Sequence, residues 1–207
     1  MLKHFLTVAL LLALFAGRSE AQQLAIPEVM NSLDRAKNAH AVGDNISALE
    51  AIWEAQQAIW NHAPLAARNV AFVTTPPEIF GLYTPKQGEN FSDDDTIVVL
   101  YFELFGFTQV KAPDGTYGFS LTISSTILSP QGDVVGVERN PTIYEKSGFR
   151  TFNAQGMFFT SLNIRGLPPG AYVLKLTIQD NNDPTKVVEL EKRLNRLPDS
   201  NPDAAVQ

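Results

Sequence analysis

The chain has 207 residues, of which 44% are hydrophobic, a formal net charge of −6 and no cysteine. That length supports a sizeable packed core, and the absence of cysteine excludes disulfides, thiolate metal sites and a cysteine nucleophile. The acidic balance, with no basic stripe interleaved with aromatics, argues against nucleic acid and anionic lipid as partners.

Residues 1–21 read as a secretory signal peptide. Lys3 and His4 form a short basic start, Phe5 to Ala16 is an apolar run broken only by Thr7, and Ser19-Glu20-Ala21 supplies small residues for cleavage after Ala21. The run ends at Gly17-Arg18 and falls short of the roughly 20 apolar residues of a spanning helix, so no membrane insertion is expected after leader cleavage. Arg18 stands where a bacterial lipoprotein box would carry its lipidated cysteine, which excludes lipid anchoring at that position. The expected localisation is periplasmic or secreted.

Residues 22–66 are expected to form a helical hairpin. Val29, Met30, Leu33 and Ala36 recur at three- and four-residue spacing, as do Leu49, Ile52, Trp53 and Trp60. Pro27 suits the first turn of the first helix, Gly43 can end it in the left-handed region, and Asp44 or Asn45 can cap the second. The large apolar stripe carrying Trp53 and Trp60 is expected to pack against the neighbouring domain.

Gly43-Asp44, Ala48-Leu49-Glu50, Ile52 and Ala55 resemble the inter-helix turn and second helix of a tetratricopeptide repeat. Only one copy is visible, and small Ala39 stands where that family carries a large aromatic. Solenoids of this kind need at least about three units to bury a continuous face, so the resemblance implies a hairpin and not a peptide-binding superhelix.

From residue 67 to 197 the period changes to two, with Gly, Pro, Asn and Asp between short runs, which predicts a β-sandwich. Tyr117, Phe119, Leu121 and Ile123 share one face of a strand, as do Phe158, Thr160, Leu162 and Ile164, and then Tyr172, Leu174, Leu176 and Ile178. Ile97 to Phe105 is apolar on both faces and reads as a central strand, covered by the second sheet on one side and by the hairpin on the other. Pro113-Asp114-Gly115, Pro130-Gln131-Gly132-Asp133 and Asn181-Asn182-Asp183-Pro184 predict antiparallel turns. Residues 198–207 are polar and proline-broken, as expected of a disordered tail.

Gly166-Leu167-Pro168-Pro169-Gly170-Ala171-Tyr172-Val173-Leu174, followed by Thr177-Ile178-Gln179-Asp180 and Lys186, resembles the closing hairpin of bacterial exported proteins with an immunoglobulin-like domain, uncharacterised as a group. Phe80-Gly81-Leu82-Tyr83 and Tyr101-Phe102-Glu103 add to the resemblance, and Ser92-Asp93-Asp94 departs from it. It implies a fold class of α+β, an N-terminal helical hairpin followed by an antiparallel immunoglobulin-like β-sandwich, far more than it implies a function.

Catalytic constellations are sparse. His40 and His62 do not stand at the i, i+4 spacing of a helical metal pair, and neither a glycine-rich phosphate loop nor a G-x-S-x-G elbow occurs. Asp93-Asp94-Asp95 and Asp180, Asn182 and Asp183 offer hard oxygens for Ca²⁺, but Pro184-Thr185 replaces the glycine and ligand of an EF-hand loop, so solvated turns are the favoured reading. Glu103, Glu138 and Glu145 are the carboxylates available for glycoside chemistry, with nothing in the sequence to pair them. Phe149, Phe152, Phe158 and Phe159 surround a glycine-containing segment; core packing is the favoured role, with Phe159 the better surface candidate.

The expectation is a noncatalytic protein-interaction module of the cell envelope without cofactor or metal. Its partner would be another envelope protein or a second copy, with Trp53, Trp60, Phe149 and Phe159 as the candidate interaction surface. A carbohydrate-binding module that takes polysaccharide on Phe149 and Phe159 is the alternative, and a carboxylate-based hydrolase ranks below both.

Overall fold

The computed structural model describes residues 20–92, 94–137, 141–154 and 156–198, with side chains from 27 onward. Most of the expected leader at 1–21, Asp93, Glu138 and nearly all of the expected tail at 198–207 lie outside the described residues. The chain divides into two compact units, Met1–Ala63 and Pro64–Gln207. No described helix is long and apolar enough to cross a membrane.

Among the described residues of the first unit there are two helices, α1 (Glu20–Ala41) and α2 (Asn45–His62). Pro27 is not at the first turn as expected, because α1 already begins at Glu20 and the proline lies within it. Its missing N–H leaves the carbonyl four residues earlier without its helical donor. The joint between the helices forms as expected. Gly43 adopts φ +81°, its N–H donates to the His40 carbonyl, and the Asp44 carboxylate caps α2 by accepting from the Ser47 N–H at 3.1 Å.

The two helices pack on each other, and apart from Trp60 near the end of α2 the buried positions of the hairpin are small: Ser32 and Ala36 on α1, then Ala48, Ala51, Ala55 and Ala58 on α2. Small side chains at an interface let two helix axes approach closely while each contributes little apolar area. Arg35 bridges the helices through an ion pair with Glu54 and also donates to the Ser32 hydroxyl.

The described residues of the second unit form ten strands in two sheets. The smaller sheet has the order β1 (Ala66–Val73), β3 (Ile97–Phe105), β8 (Gly156–Asn163), so β3 is the expected central strand. The larger sheet runs β2 (Asn90–Phe91), β10 (Val187–Arg196), β9 (Gly170–Asp180), β5 (Tyr117–Leu128), β4 (Val110–Lys111), with β6 (Val134–Val137) and β7 (Thr142–Phe149) also on β5. All pairings are antiparallel except that of β2 with β10, which is parallel. The chain is therefore α+β, with antiparallel sheets after two helices.

Alternation puts Phe119, Leu121 and Ile123 of β5, Phe158, Thr160 and Leu162 of β8, and Leu174, Leu176 and Ile178 of β9 inside, as their spacing predicts. Aromatic rings join the layers: Phe158 contacts Phe102 within its own sheet, and Phe119 and Tyr144 across the gap, at centroid distances of 5.6 to 6.1 Å. Gly156 is required where β8 enters this cluster, since a Cβ there would lie 2.5 Å from the Phe107 ring. On the other face of β3, the β1–β2 connection lays the Tyr83 ring on Tyr101 at 4.1 Å.

The three turns read from sequence all close hairpins. Ala112 N–H donates to Thr116 at 2.7 Å, Ser129 N–H to Asp133 at 2.8 Å, and Asp180 N–H to Lys186 at 3.0 Å. At the start of β9, the Tyr172 hydroxyl donates to the Pro168 carbonyl at 2.8 Å and braces the Leu-Pro-Pro-Gly turn.

Candidate functional site

The hairpin has two apolar stripes. Alanines occupy the buried one, which leaves the large side chains Met30, Leu33, Leu49, Ile52 and Trp53 exposed on the other. A cavity of about 490 Å³ lies along this face, with Leu33, Lys37, Leu49 and Ile52 in its lining, and a second of about 400 Å³ is formed by Leu49, Glu50, Trp53 and Glu54. The rim carries charges of both signs. His40 sits at one end with its Nδ1 2.9 Å from the Asn45 side-chain oxygen.

Of the two tryptophans expected on one packed face, Trp53 is 49% exposed and Trp60 is 5% exposed. They stand seven residues apart on α2 and differ in exposure, Trp53 belonging with the exposed large side chains and Trp60 with the buried positions. Trp60 in turn drops out of the accessible candidate surface. Phe149 is half-buried, with its ring stacked 6.1 Å from Phe119, and Phe159 is half-buried against Val73, Val99 and Tyr101. Each stands at the margin of an aromatic or apolar cluster and keeps part of its surface in water.

The most concentrated polar arrangement surrounds Glu103 on the outer face of β3, where its side chain is 3% exposed. Its Oε1 accepts from the Tyr101 hydroxyl at 2.8 Å, and its Oε2 accepts from Arg68 Nε at 3.1 Å and Asn69 Nδ2 at 3.0 Å. Asn69 holds φ +53° at a bulge in β1, a conformation Asn tolerates better than most residues. The Tyr101 oxygen in turn accepts from the Gly81 N–H at 3.2 Å. The guanidinium of Arg68 also lies 3.9 Å over the Phe105 ring.

Burial pushes the Glu103 carboxyl upward, but hydrogen bonds from Tyr101, Arg68 and Asn69 outweigh it and hold the group below its ordinary value. Burial, aided by the bond to Glu103, pushes the Tyr101 phenol up to about 12. The pair is thus an ionised acceptor bound to a neutral donor. A general acid of the glycosidase kind needs a carboxyl raised toward neutrality. Glu145 is exposed on β7, in the other sheet, while Glu138 lies outside the described residues.

The acidic loops turn their carboxylates toward backbone donors. Asp95 accepts from Ser92 N–H at 2.7 Å and from the Ser92 hydroxyl, with Lys86 at 3.7 Å. Buried Asp180 accepts from the N–H groups of Thr108, Asn182 and Asp183. Asp183 accepts from the Thr185 N–H and hydroxyl. Among the described residues no three His, Asp or Glu side chains come together in a metal-binding group.

Sequence reading named Glu103 without its partners. The i, i+2 spacing of Tyr101 and Glu103 in an otherwise apolar strand was the available signal, because it put both on one face. Arg68 and Asn69 lie more than 30 positions away in sequence, and only the β1–β3 register brings them close.

No family model matches the chain, and no curated protein does. Solved structures similar to it include CopC from Methylosinus trichosporium OB3b, at 18% identity over 55% of this chain and 86% of that one, with a TM-score of 0.29. Another is the alkylpurine DNA glycosylase AlkC of Pseudomonas fluorescens bound to DNA containing an abasic site analog, at 13% identity over 86% of this chain and 47% of that one, TM-score 0.33. A third is the extracellular domain of the hybrid two-component system BT3049 from B. thetaiotaomicron, at 13% identity over 69% and 16%, TM-score 0.32. The chain spans less than half the length of the last two, and likeness at these scores carries no argument about what this chain does.

Proposed function

We propose that this chain is an exported, noncatalytic protein-interaction module of the cell envelope, a helical hairpin followed by an immunoglobulin-like sandwich. The hairpin holds a partner protein through an amphipathic helix of that partner, laid along Leu33, Leu49, Ile52 and Trp53. The observation that carries this reading is the open apolar face itself: Met30, Leu33, Leu49, Ile52 and Trp53 are among the large apolar side chains exposed on a helical hairpin whose buried positions are mainly alanine. Contiguous exposed apolar surface of this kind marks interaction sites, and an amphipathic helix is the occupant whose apolar stripe matches a groove between two helices. Export rests on the leader-like residues 1–21, and the immunoglobulin-like assignment is supported by the Tyr172 hydroxyl bracing the Pro168 carbonyl four residues upstream.

The test places a photo-crosslinking amino acid at Ile52 in cells expressing the full chain. A discrete protein adduct is expected, and it should vanish in Trp53→Glu while the far-ultraviolet circular dichroism stays unchanged. No adduct, or one indifferent to Trp53→Glu, overturns the reading. The intact mass of the protein recovered from the periplasm or medium should correspond to a chain beginning at Gln22; a chain retained with residues 1–21 overturns export.

A further inference from the structure

A second surface, independent of the hairpin, lies in the sandwich. β8 is an outer strand of the small sheet, and β6 and β7 line the margin of the large one along β5. These margins face each other across a seam. Two adjoining cavities occupy it, one of about 340 Å³ lined by Ser125, Ile127, Gly136, Val137, Ser161, Leu162 and Asn163, the other of about 480 Å³ that shares Ile127, Gly136 and Asn163 and runs on to Arg165 and Tyr172.

The register of β8 decides what its backbone offers to this seam. Ile164 N–H donates to the Thr96 carbonyl at 3.0 Å, continuing the ladder in which Leu162 and Thr160 face Val98 and Leu100. In an antiparallel pair, bonded and non-bonded positions alternate, so the odd-numbered residues of β8 turn their N–H and C=O groups away from β3. Phe159 confirms the direction, since its carbonyl accepts from the Tyr144 hydroxyl of β7. Beyond that bridge, Ser161 and Asn163 present backbone donors and acceptors at the lip of the first cavity, and no described strand pairs with that side of β8.

An unpaired strand edge is a template for another strand. Among the described residues that line the two cavities, Arg165 is the only charged side chain, and no described carboxylate lines them. We propose that an extended strand of a partner protein adds to β8 at Ser161 and Asn163, its alternate apolar side chains entering the two cavities and an acidic residue meeting Arg165. At roughly 3.3 Å per residue, about five residues reach from Ser161 past Arg165.

Two substitutions separate strand addition from unfolding. Ser161→Pro removes an N–H that β3 does not use, which an edge strand tolerates, and takes away a donor the added strand requires. Gly136→Leu fills the space shared by both cavities; a Cβ at Gly136 meets only Ile127, at an ordinary 3.5 Å. The probes are capped peptides alternating Val and Ser with Asp at either the first or the last position, and the same peptides with Lys in place of Asp.

One Asp peptide should bind the full chain and slow amide exchange at Ser161 and Asn163, with the Lys version bound about tenfold more weakly. Ser161→Pro and Gly136→Leu should each weaken binding about tenfold or more, whereas Trp53→Glu should leave it unchanged, which keeps this outcome separate from the hairpin test. Absence of binding at millimolar peptide, or binding unaffected by both substitutions, overturns the proposal. So does a concentration-dependent dimer in sedimentation that Ser161→Pro abolishes, because a second copy would then be the occupant.

Discussion

The hairpin and the sandwich solve burial in opposite ways. In the sandwich the largest side chains go inside: Phe102, Phe107, Phe119 and Phe158 meet edge to face, tilted or stacked, and Tyr101 is fully enclosed. In the hairpin, alanines are buried and several of the largest side chains remain in water. Both follow the periodicity of their secondary structure, which shows that period alone selects a face and side-chain size selects the packing distance. Close-packed helices exclude bulk from their contact, whereas facing sheets about 10 Å apart demand it.

The largest effect expected from breaking this contrast is in the sandwich. Phe158→Ala empties the meeting point of four rings and should lower its stability by about 3–5 kcal/mol, read as a drop in the urea midpoint by near-ultraviolet circular dichroism of the tyrosines. Gly156→Ala attacks the same cluster from the opposite direction, by overfilling it. Its new Cβ would sit 2.5 Å from Phe107 and 2.8 Å from the Leu104 carbonyl, so a loss of about 1–3 kcal/mol is expected from strain alone. A neutral Gly156→Ala would mean that this core gives way as loosely as a surface.

These two regions were not equally legible. Strict alternation in β5, β8 and β9 identified the inward set, because a strand has only two faces and one of them was uniformly apolar. The turn residues placed the hairpins for a similar reason, since a left-handed position such as Gly115 or Gly132 leaves few sequence choices. In α2 both Ala48-Ala51-Ala55-Ala58 and Leu49-Ile52-Trp53 are apolar at helical spacing, and hydrophobicity ranks the wrong stripe first. The parallel pairing of β2 with β10, the seam beside β8, and the convergence of Arg68 and Asn69 on Glu103 depend on strand neighbours distant in sequence, which no local pattern encodes.

Glu103 sharpens the comparison as a polar exception within the apolar sandwich. Glu103→Gln removes charge-assisted bonds from Tyr101, Arg68 and Asn69 and should destabilise by about 1–3 kcal/mol at neutral pH. Arg68 is more than half exposed, so water recovers part of its share. The folded carboxyl titrates below its unfolded value, so its contribution is complete above the ordinary carboxylate range and disappears as pH falls through the folded value. The gap in urea midpoint between the two proteins should therefore close toward acid pH. Tyr101 has the opposite sign: raised to about 12, it contributes fully below its unfolded value near 10 and loses that contribution as pH climbs between the two. At the hairpin joint, Asp44→Ala deletes the α2 cap and should lower stability by about 1 kcal/mol, seen as faster amide exchange at Ser47.

Trp53→Ala is the smallest effect expected, and it discriminates most finely. If the alanine stripe is the packed face of α2, truncating a residue that is 49% exposed should shift stability by no more than about 0.5 kcal/mol. Both tryptophans of the chain lie in α2, so the variant leaves buried Trp60 as the sole indole reporter. Its emission should move to the blue as the solvated component disappears, while the urea transition followed at that wavelength keeps its midpoint. A shift of several kcal/mol would instead make Trp53 part of a core, and the large stripe would then be structural. A silent stability change combined with loss of the Ile52 crosslink would separate folding from binding within one side chain, because the same ring that contributes nothing to the fold would be required for the partner.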